Sequence, residues 1–352
     1  MANSCFSLVN FYERFLRRTF VSAGLSARRL EIDQHTTLHF WGPTPPKQEK
    51  PAPASSPKST EKKPALILIH GFGPPPLWQW RPQVQYLSAF FELYVPELVF
   101  FGGSTTSRSE RSEVFQAEMV ARLMEKLRVE RYSVMGTSYG GFVSYHMARL
   151  WPERVEKVVI ASSGVNRALK DGEELIKRAQ VDKVEDLMLP QTPSQLRGLL
   201  RLAVFRRTSR LPDFFLRDFL QVPLLFFPPS RTLEIPIVVI HGSWIGVTSV
   251  GIGGWVLGRA GASTYNDNRE AKIELLEGLT LGRGDVADIS PLQQEVLLVW
   301  GEHDQIFPLQ LATELRKLLG EKTKLEVIKS TSHVPQTEEP EEFNRIVKGF
   351  LV

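Results

Sequence analysis

The stretch Tyr132-Ser-Val-Met-Gly-Thr-Ser-Tyr-Gly-Gly141 constrains this chain more than any other. It reads as a short buried strand from Tyr132 to Met135, a turn tight at both ends, and a helix from Phe142 onward. At its centre Gly136-Thr-Ser-Tyr-Gly140 has the pattern G-x-S-x-G. A serine hydroxyl that is to stand clear of a sheet must ride on a sharply bent strand-to-helix turn. Glycines two residues to either side let the neighbouring backbone pass without Cβ clashes. So short a pattern also recurs by chance, and the alternative is a structural turn that happens to hold a serine. The strand before it, the helix after it and the partners found downstream give the pattern its weight.

With 352 residues the chain accommodates one α/β core carrying an inserted subdomain. Its 42% hydrophobic and 23% charged content are ordinary for a globular protein. The net charge of +4 is small and spread along the chain, so nothing points to a nucleic-acid partner. Cys5 is the single cysteine, which forbids an internal disulfide and suits a reducing, cytoplasmic compartment. The sequence contains no zinc-ligand spacing, no G-x-x-x-x-G-K phosphate cradle and no internal repeat.

Over residues 6–25, Phe6, Val9, Tyr12, Leu16 and Phe20 recur at helical spacing, with Arg14, Arg17 and Arg18 among them. This predicts an amphipathic, basic helical segment over 1–27. Three readings stand for it: a lid packed on the domain, a peripheral contact with an acidic membrane surface, or an organelle presequence. Charge interrupts its apolar run, so a secretory signal is not evident. Leu30 to Ile32 and Thr37 to Trp41 then read as a hairpin, with His35 and His39 as plain hairpin residues. Residues 43–63 are rich in Pro, Lys and Ser and form a flexible surface excursion.

Ala65 to Ile69 is a continuous apolar run, as expected of a strand covered on both faces, and His70-Gly-Phe-Gly73 follows it directly. A turn there can aim the Phe72 N–H at a carbonyl oxygen gaining charge, while Tyr139, next after Ser138, supplies a second N–H. Ile237 to Gly242 also reads as strand plus His-Gly, but it falls after the serine, where this loop does not belong. Trp78, Trp80 and Phe91 suit core packing, with an apolar acyl pocket as the other reading.

Glu295 to Trp300 predicts another strand, followed by Gly301-Glu-His-Asp304. An Asp in a loop after a buried strand can orient an imidazole; Asp304 is the choice here, and Glu302 the alternative. Lys324 to Ile328 predicts the last strand, and Ser332-His333 follows it. Ser138, Asp304 and His333 thus each stand just past a strand, in the chain order of a nucleophile, an orienting acid and a base.

The chain resembles an α/β-hydrolase of the cap-bearing type, close to plant proteins similar to monoacylglycerol lipases and esterases. His70 to Gly73, Gly136 to Gly140, Gly301 to Asp304 and Ser332-His333 carry the resemblance, which spans roughly 28–352. It implies a mostly parallel sheet of about eight strands with helices on both faces and an inserted helical cap. It also implies that Ser138 attacks, His333 carries protons, Asp304 orients His333, and the Phe72 and Tyr139 amides hold an oxyanion. The substrate implied is a small apolar ester or lipid, and no cofactor or metal is required. C–C bond hydrolysis, acyl transfer and non-enzymatic ligand sensing are the alternatives on the same fold. A serine nucleophile argues against the epoxide- and halide-processing members, which carry Asp there.

The expected layout is a first core part over 28–165, a cap over 166–289 and a second core part over 290–352. Helical patterns run from Gly172 to Gln180, Pro193 to Phe205, Pro212 to Gln221 and Asn268 to Leu279. Residues 222–264 break that pattern, with seven glycines and only Arg231, Glu234 and Arg259 as charges. A membrane span there would put Ser138 and His333 on opposite sides of a bilayer, so it is rejected. An insertion foreign to the family is the favoured reading, and a membrane-dipping cap loop the other.

Overall fold

The computed structural model describes residues 8–45, 63–206, 211–221, 233–241, 244–252, 267–285 and 289–352. The chain opens with α1 (Leu8–Ser22), β1 (Leu25–Glu31), β2 (Thr36–Pro43), β3 (Ala65–Ile69), α2 (Pro76–Leu87) and β4 (Glu92–Pro96). Then come β5 (Thr105–Thr106), α3 (Glu113–Lys126), β6 (Tyr132–Thr137), α4 (Tyr139–Leu150) and β7 (Val155–Ala161). Four helices follow: α5 (Leu169–Ala179), α6 (Val184–Met188), α7 (Pro193–Ala203) and α8 (Asp213–Gln221). After them lie β8 (Leu233–His241), β9 (Trp244–Ile252) and α9 (Arg269–Glu277). The chain closes with β10 (Glu295–Gly301), α10 (Leu309–Leu319), β11 (Thr323–Ile328), α11 (Pro335–Glu338) and α12 (Pro340–Leu351).

The main sheet has nine strands in the order β1-β2-β4-β3-β6-β7-β10-β11, with β5 pairing β2. From β4 to β11 every pairing is parallel, whereas β1, β2 and β5 join antiparallel at one end. Strand residues alternate between two apolar layers, as a sheet covered on both faces requires. Ile67, Ile69, Val134, Ile160 and Leu298 pack on one side, with residues of α3, α4 and α10. Leu66, Leu68, Met135, Val159 and Val299 pack on the other, with residues of α1, α2 and α12. The chain leaves β3 toward β4 on one side and returns to β6 on the other. A crevice opens at such a reversal, outside the carboxyl ends of the strands.

The helix expected over 1–27 ends sooner: α1 stops at Ser22 and β1 begins at Leu25. Gly24, at φ 84°, supplies the left-handed turn between them. α1 packs on α2 and α8, with Leu16 and Phe20 buried and Phe20 edge-on to Trp41 at 5.2 Å. Among the described residues no helix is long and apolar enough to cross a membrane.

The helices α5 to α8 gather Leu175, Leu187, Leu196, Leu199, Leu216 and Leu220 into a small core that also takes Ile306 from the loop after β10. β8 and β9 pair only with each other in the described sheets, as an antiparallel ribbon. The second His-Gly, at His241, therefore sits outside the main sheet. The rest of the anomalous 222–264 stretch, and residues 46–62 of the expected excursion, lie outside the described residues.

Candidate active site

Ser138 sits between β6 and α4 at φ 51°, ψ −119°, a conformation that a side-chain-bearing residue adopts only under constraint. Three hydrogen bonds impose it. Ser138 N–H donates to Ala161 C=O at 2.9 Å, and Ser138 C=O accepts Gly141 N–H at 2.9 Å and the Ser163 hydroxyl at 2.6 Å. The flanking glycines have a steric reason as well. A Cβ on Gly136 would overlap the Gly140 carbonyl, and one on Gly140 the carbonyls of Ile69 and His70.

The loops after β10 and β11 bring Asp304 and His333 to that serine. His333 Nε2 lies 2.9 Å from Ser138 Oγ, and His333 Nδ1 lies 3.0 Å from Asp304 Oδ2. Asp304 Oδ1 accepts the amides of Ile306 and Phe307 at 2.8 and 2.9 Å, which fixes the carboxylate plane. With Nδ1–H directed at a carboxylate, Nε2 is left as the acceptor for a hydroxyl proton. All three groups are buried: Ser138 is 9% exposed, His333 6% and Asp304 5%. Glu302, the alternative acid, is exposed and accepts the Ser330 amide at 3.2 Å instead. His303 is exposed and stacks on Phe205 at 4.6 Å.

Tyr139 opens α4, so its N–H has no intrahelical acceptor and stands at the positive end of the helix. Phe72 belongs to the loop after β3, whose approach to the serine is close: a Cβ on Gly71 would stand 3.0 Å from Ser138 Cβ. Two side chains hold that loop. Gln79 Oε1 accepts Gly71 N–H at 2.8 Å, while its amide nitrogen donates to Pro74 C=O at 2.6 Å and Gly71 C=O at 3.1 Å. His70 donates Nδ1–H to Gly71 C=O at 2.8 Å and accepts Leu98 N–H on Nε2 at 3.0 Å. Burial lowers the His70 pKa to about 4, which keeps the ring neutral and its Nε2 an acceptor.

Sequence reasoning missed Gln79 and Ser163. The only signal for Gln79 was an amide set between Trp78 and Trp80 in the sequence; for Ser163 there was none.

A chain of rings runs past the serine. Phe101 meets Phe72 at 5.3 Å, Phe72 meets Tyr139 at 6.0 Å, and Tyr139 meets Phe142 at 6.3 Å. Phe142 then meets Phe307 at 6.3 Å, and Phe307 meets the His333 imidazole at 5.5 Å. Trp80 and Phe91 are buried in the core, as expected. Trp78 is half-buried between Tyr12 and Phe219, at 4.9 and 5.1 Å. Among the described residues no three His, Cys, Asp or Glu side chains are gathered to hold a metal ion.

A parallel sheet with a sharply bent serine turn at its switch point defines an α/β-hydrolase architecture. The chain belongs to the alpha/beta hydrolase fold family, whose pattern matches residues 64–340. It is 24% identical over 292 residues to the 2-hydroxy-6-oxo-2,4-heptadienoate hydrolase of Pseudomonas putida, covering 81% of this chain and 88% of that protein. A bacterial membrane phospholipase A described as a virulence factor superposes with a TM-score of 0.67 at 20% identity, covering 98% of this chain and 90% of that one. A carboxylesterase from Bacillus subtilis superposes with a TM-score of 0.58 at 18% identity, over 97% of each chain. At such identities these likenesses speak for the fold.

Proposed function

We propose that the protein is a serine hydrolase that cleaves an apolar carboxylic ester through an acyl-enzyme. One observation carries this reading: the unbroken line from Ser138 Oγ to His333 Nε2 at 2.9 Å and from His333 Nδ1 to Asp304 Oδ2 at 3.0 Å. Ser138 Oγ attacks the carbonyl carbon as its proton passes to His333 Nε2, and Asp304 stays ionised to stabilise the imidazolium. The carbonyl oxygen takes up the negative charge between the amides of Phe72 and Tyr139. A lost donor of this kind costs about 3 kcal/mol in the barrier. The departing alcohol oxygen takes the proton from His333, leaving an ester on Ser138. Water then loses a proton to His333 and attacks that ester; the acid leaves, and Ser138 Oγ recovers its proton.

The aromatic chain from Phe101 to Phe307 supports an apolar acyl group, because these rings carry no charge and one of them touches the imidazole. Ser138→Ala should abolish turnover of a short p-nitrophenyl ester in a protein with an unchanged circular dichroism spectrum. Turnover at the unsubstituted rate would refute the assignment.

One second reading has an observation behind it. The match to the Pseudomonas putida dienoate hydrolase spans 81% of the chain, which supports C–C bond cleavage by the same three residues. Measuring kcat/KM for an ester and for a 2-hydroxy-6-oxo-dienoate side by side decides between the two.

A further inference from the structure

The helix α1 has two faces of opposite kind. Val9, Glu13, Leu16, Thr19 and Phe20 are buried against the domain. The outward face runs Phe11, Arg14, Phe15, Arg18, Val21, all exposed, with Phe11 at 64% and Val21 at 60%. An amphipathic helix on a globular protein ordinarily turns a polar face to water. Here aromatic rings alternate with arginines, and Glu13, the only acid in α1, points inward.

The neighbouring α8 repeats the pattern. It lies against α1, with Val9 N–H donating to Asp218 Oδ2 at 3.0 Å, and it exposes Phe214 (63%) and, one turn on, Arg217. Its Asp213 is paired with Arg197. The Arg81 guanidinium stands 4.9 Å over the Phe15 ring, adding a further cation to the edge of the patch. Isolated exposed apolar side chains are ordinary, but exposed rings and arginines on two touching helices mark an interaction surface.

We propose that α1 and α8 together form a docking face for an anionic bilayer surface. Charge decides the occupant. Arg14, Arg18 and Arg217 are exposed, and Asp213, the acid exposed beside Phe214, is already neutralised by Arg197. The charge this face leaves exposed is positive, which complements an anionic headgroup layer, and such a layer accepts rings inserted between guanidinium groups. The face goes beyond the hydrolase reading and does not depend on it, since binding is measured without turnover. It also has a place in the architecture. α8 is one of the helices inserted between β7 and β10, and Trp78, which touches both helices' rings, precedes the Gln79 that holds the Gly71 loop. A bilayer on this face lies beside the inserted helices and the oxyanion loop.

The test is co-sedimentation of the full chain with vesicles of phosphatidylcholine alone and with about 30% phosphatidylserine. The expected result is binding to the anionic vesicles, suppressed at 0.5 M salt and weak on the neutral ones. Arg14→Gln and Arg18→Gln should each weaken it about fivefold, and Arg217→Gln on α8 likewise. Phe11→Ser with Phe15→Ser should weaken it about tenfold or more. The substituted side chains are exposed, so unfolding temperatures should hold, and three separate arginine variants keep the outcome readable if one fails to fold. Absence of the unsubstituted chain from anionic vesicle pellets would overturn the proposal, as would equal binding by the folded variants. A dimer seen by light scattering and abolished by the phenylalanine changes, without vesicle binding, would assign the face to a second copy instead.

Discussion

Asp304 turns Oδ2 to His333 while the Ile306 and Phe307 amides hold its Oδ1, so the carboxylate has one orientation open to it. Asp304→Asn keeps that shape but presents an N–H to the imidazole, which favours the wrong tautomer. Esterase kcat should fall about 10⁴-fold while the unfolding temperature changes little. A loss of less than tenfold would mean that Asp304 does not set the tautomer. Gly140→Ala belongs to the same scale. Its Cβ would meet the carbonyls of Ile69 and His70, so chemical denaturation should show a loss of about 1–3 kcal/mol. The positions of Ser138, Asp304 and His333 were legible because each follows a segment that reads as a strand, and strand ends are where this architecture exposes side chains. Gln79 and Ser163 were not. Their roles consist of hydrogen bonds to backbone that only the packed turn brings near, and no residue type or spacing announces them.

At the scale of elements, one carboxylate ties the inserted helices to the histidine loop. Glu338 of α11 accepts the Ser332 amide on Oε2 at 2.7 Å and the Phe205 amide, just past α7, on Oε1 at 2.8 Å. The Ser332 hydroxyl reaches the Leu202 carbonyl of α7 at 2.8 Å. Arg206 N–H also donates to Glu338 Oε1 at 3.3 Å, so Glu338→Ala leaves three amides without their acceptor and should lower stability by about 1–3 kcal/mol. Amide hydrogen exchange should rise together around 202–206 and 330–334. A rise in one segment alone would show that Glu338 does not couple them. The central strands were readable as continuous apolar runs. β5 was not, because two threonines form a strand only by meeting Thr36 and Thr37. The early end of α1 did have a signal in Gly24, whose left-handed turn stops a helix whose apolar spacing otherwise reads on to Leu25.

At the scale of the molecule, two buried groups give the fold a common response to acid. Burial lowers the His70 pKa to about 4, so from pH 6.5 downward the unfolded chain binds a proton that the folded one refuses. Burial alone would raise Glu113, but the His146 ring 3.4 Å away and the hydrogen bonds from Thr280 overcome it and bring its pKa to about 2. Its contribution is present above pH 4.5 and is lost as the pH falls toward 2. Both effects have the same sign. Stability should decline from pH 6.5 to pH 4, with His70 contributing up to about 3 kcal/mol of the loss. Thermal unfolding across that range checks it; a midpoint that holds or rises on acidification would contradict the His70 assignment.

The most direct test of the serine relay is reaction of the full chain with a fluorophosphonate, with the adduct located by mass spectrometry. A single stoichiometric adduct on Ser138, formed far more slowly after His333→Ala, is the predicted result. An unmodified Ser138, or a labelling rate indifferent to the loss of His333, would contradict it.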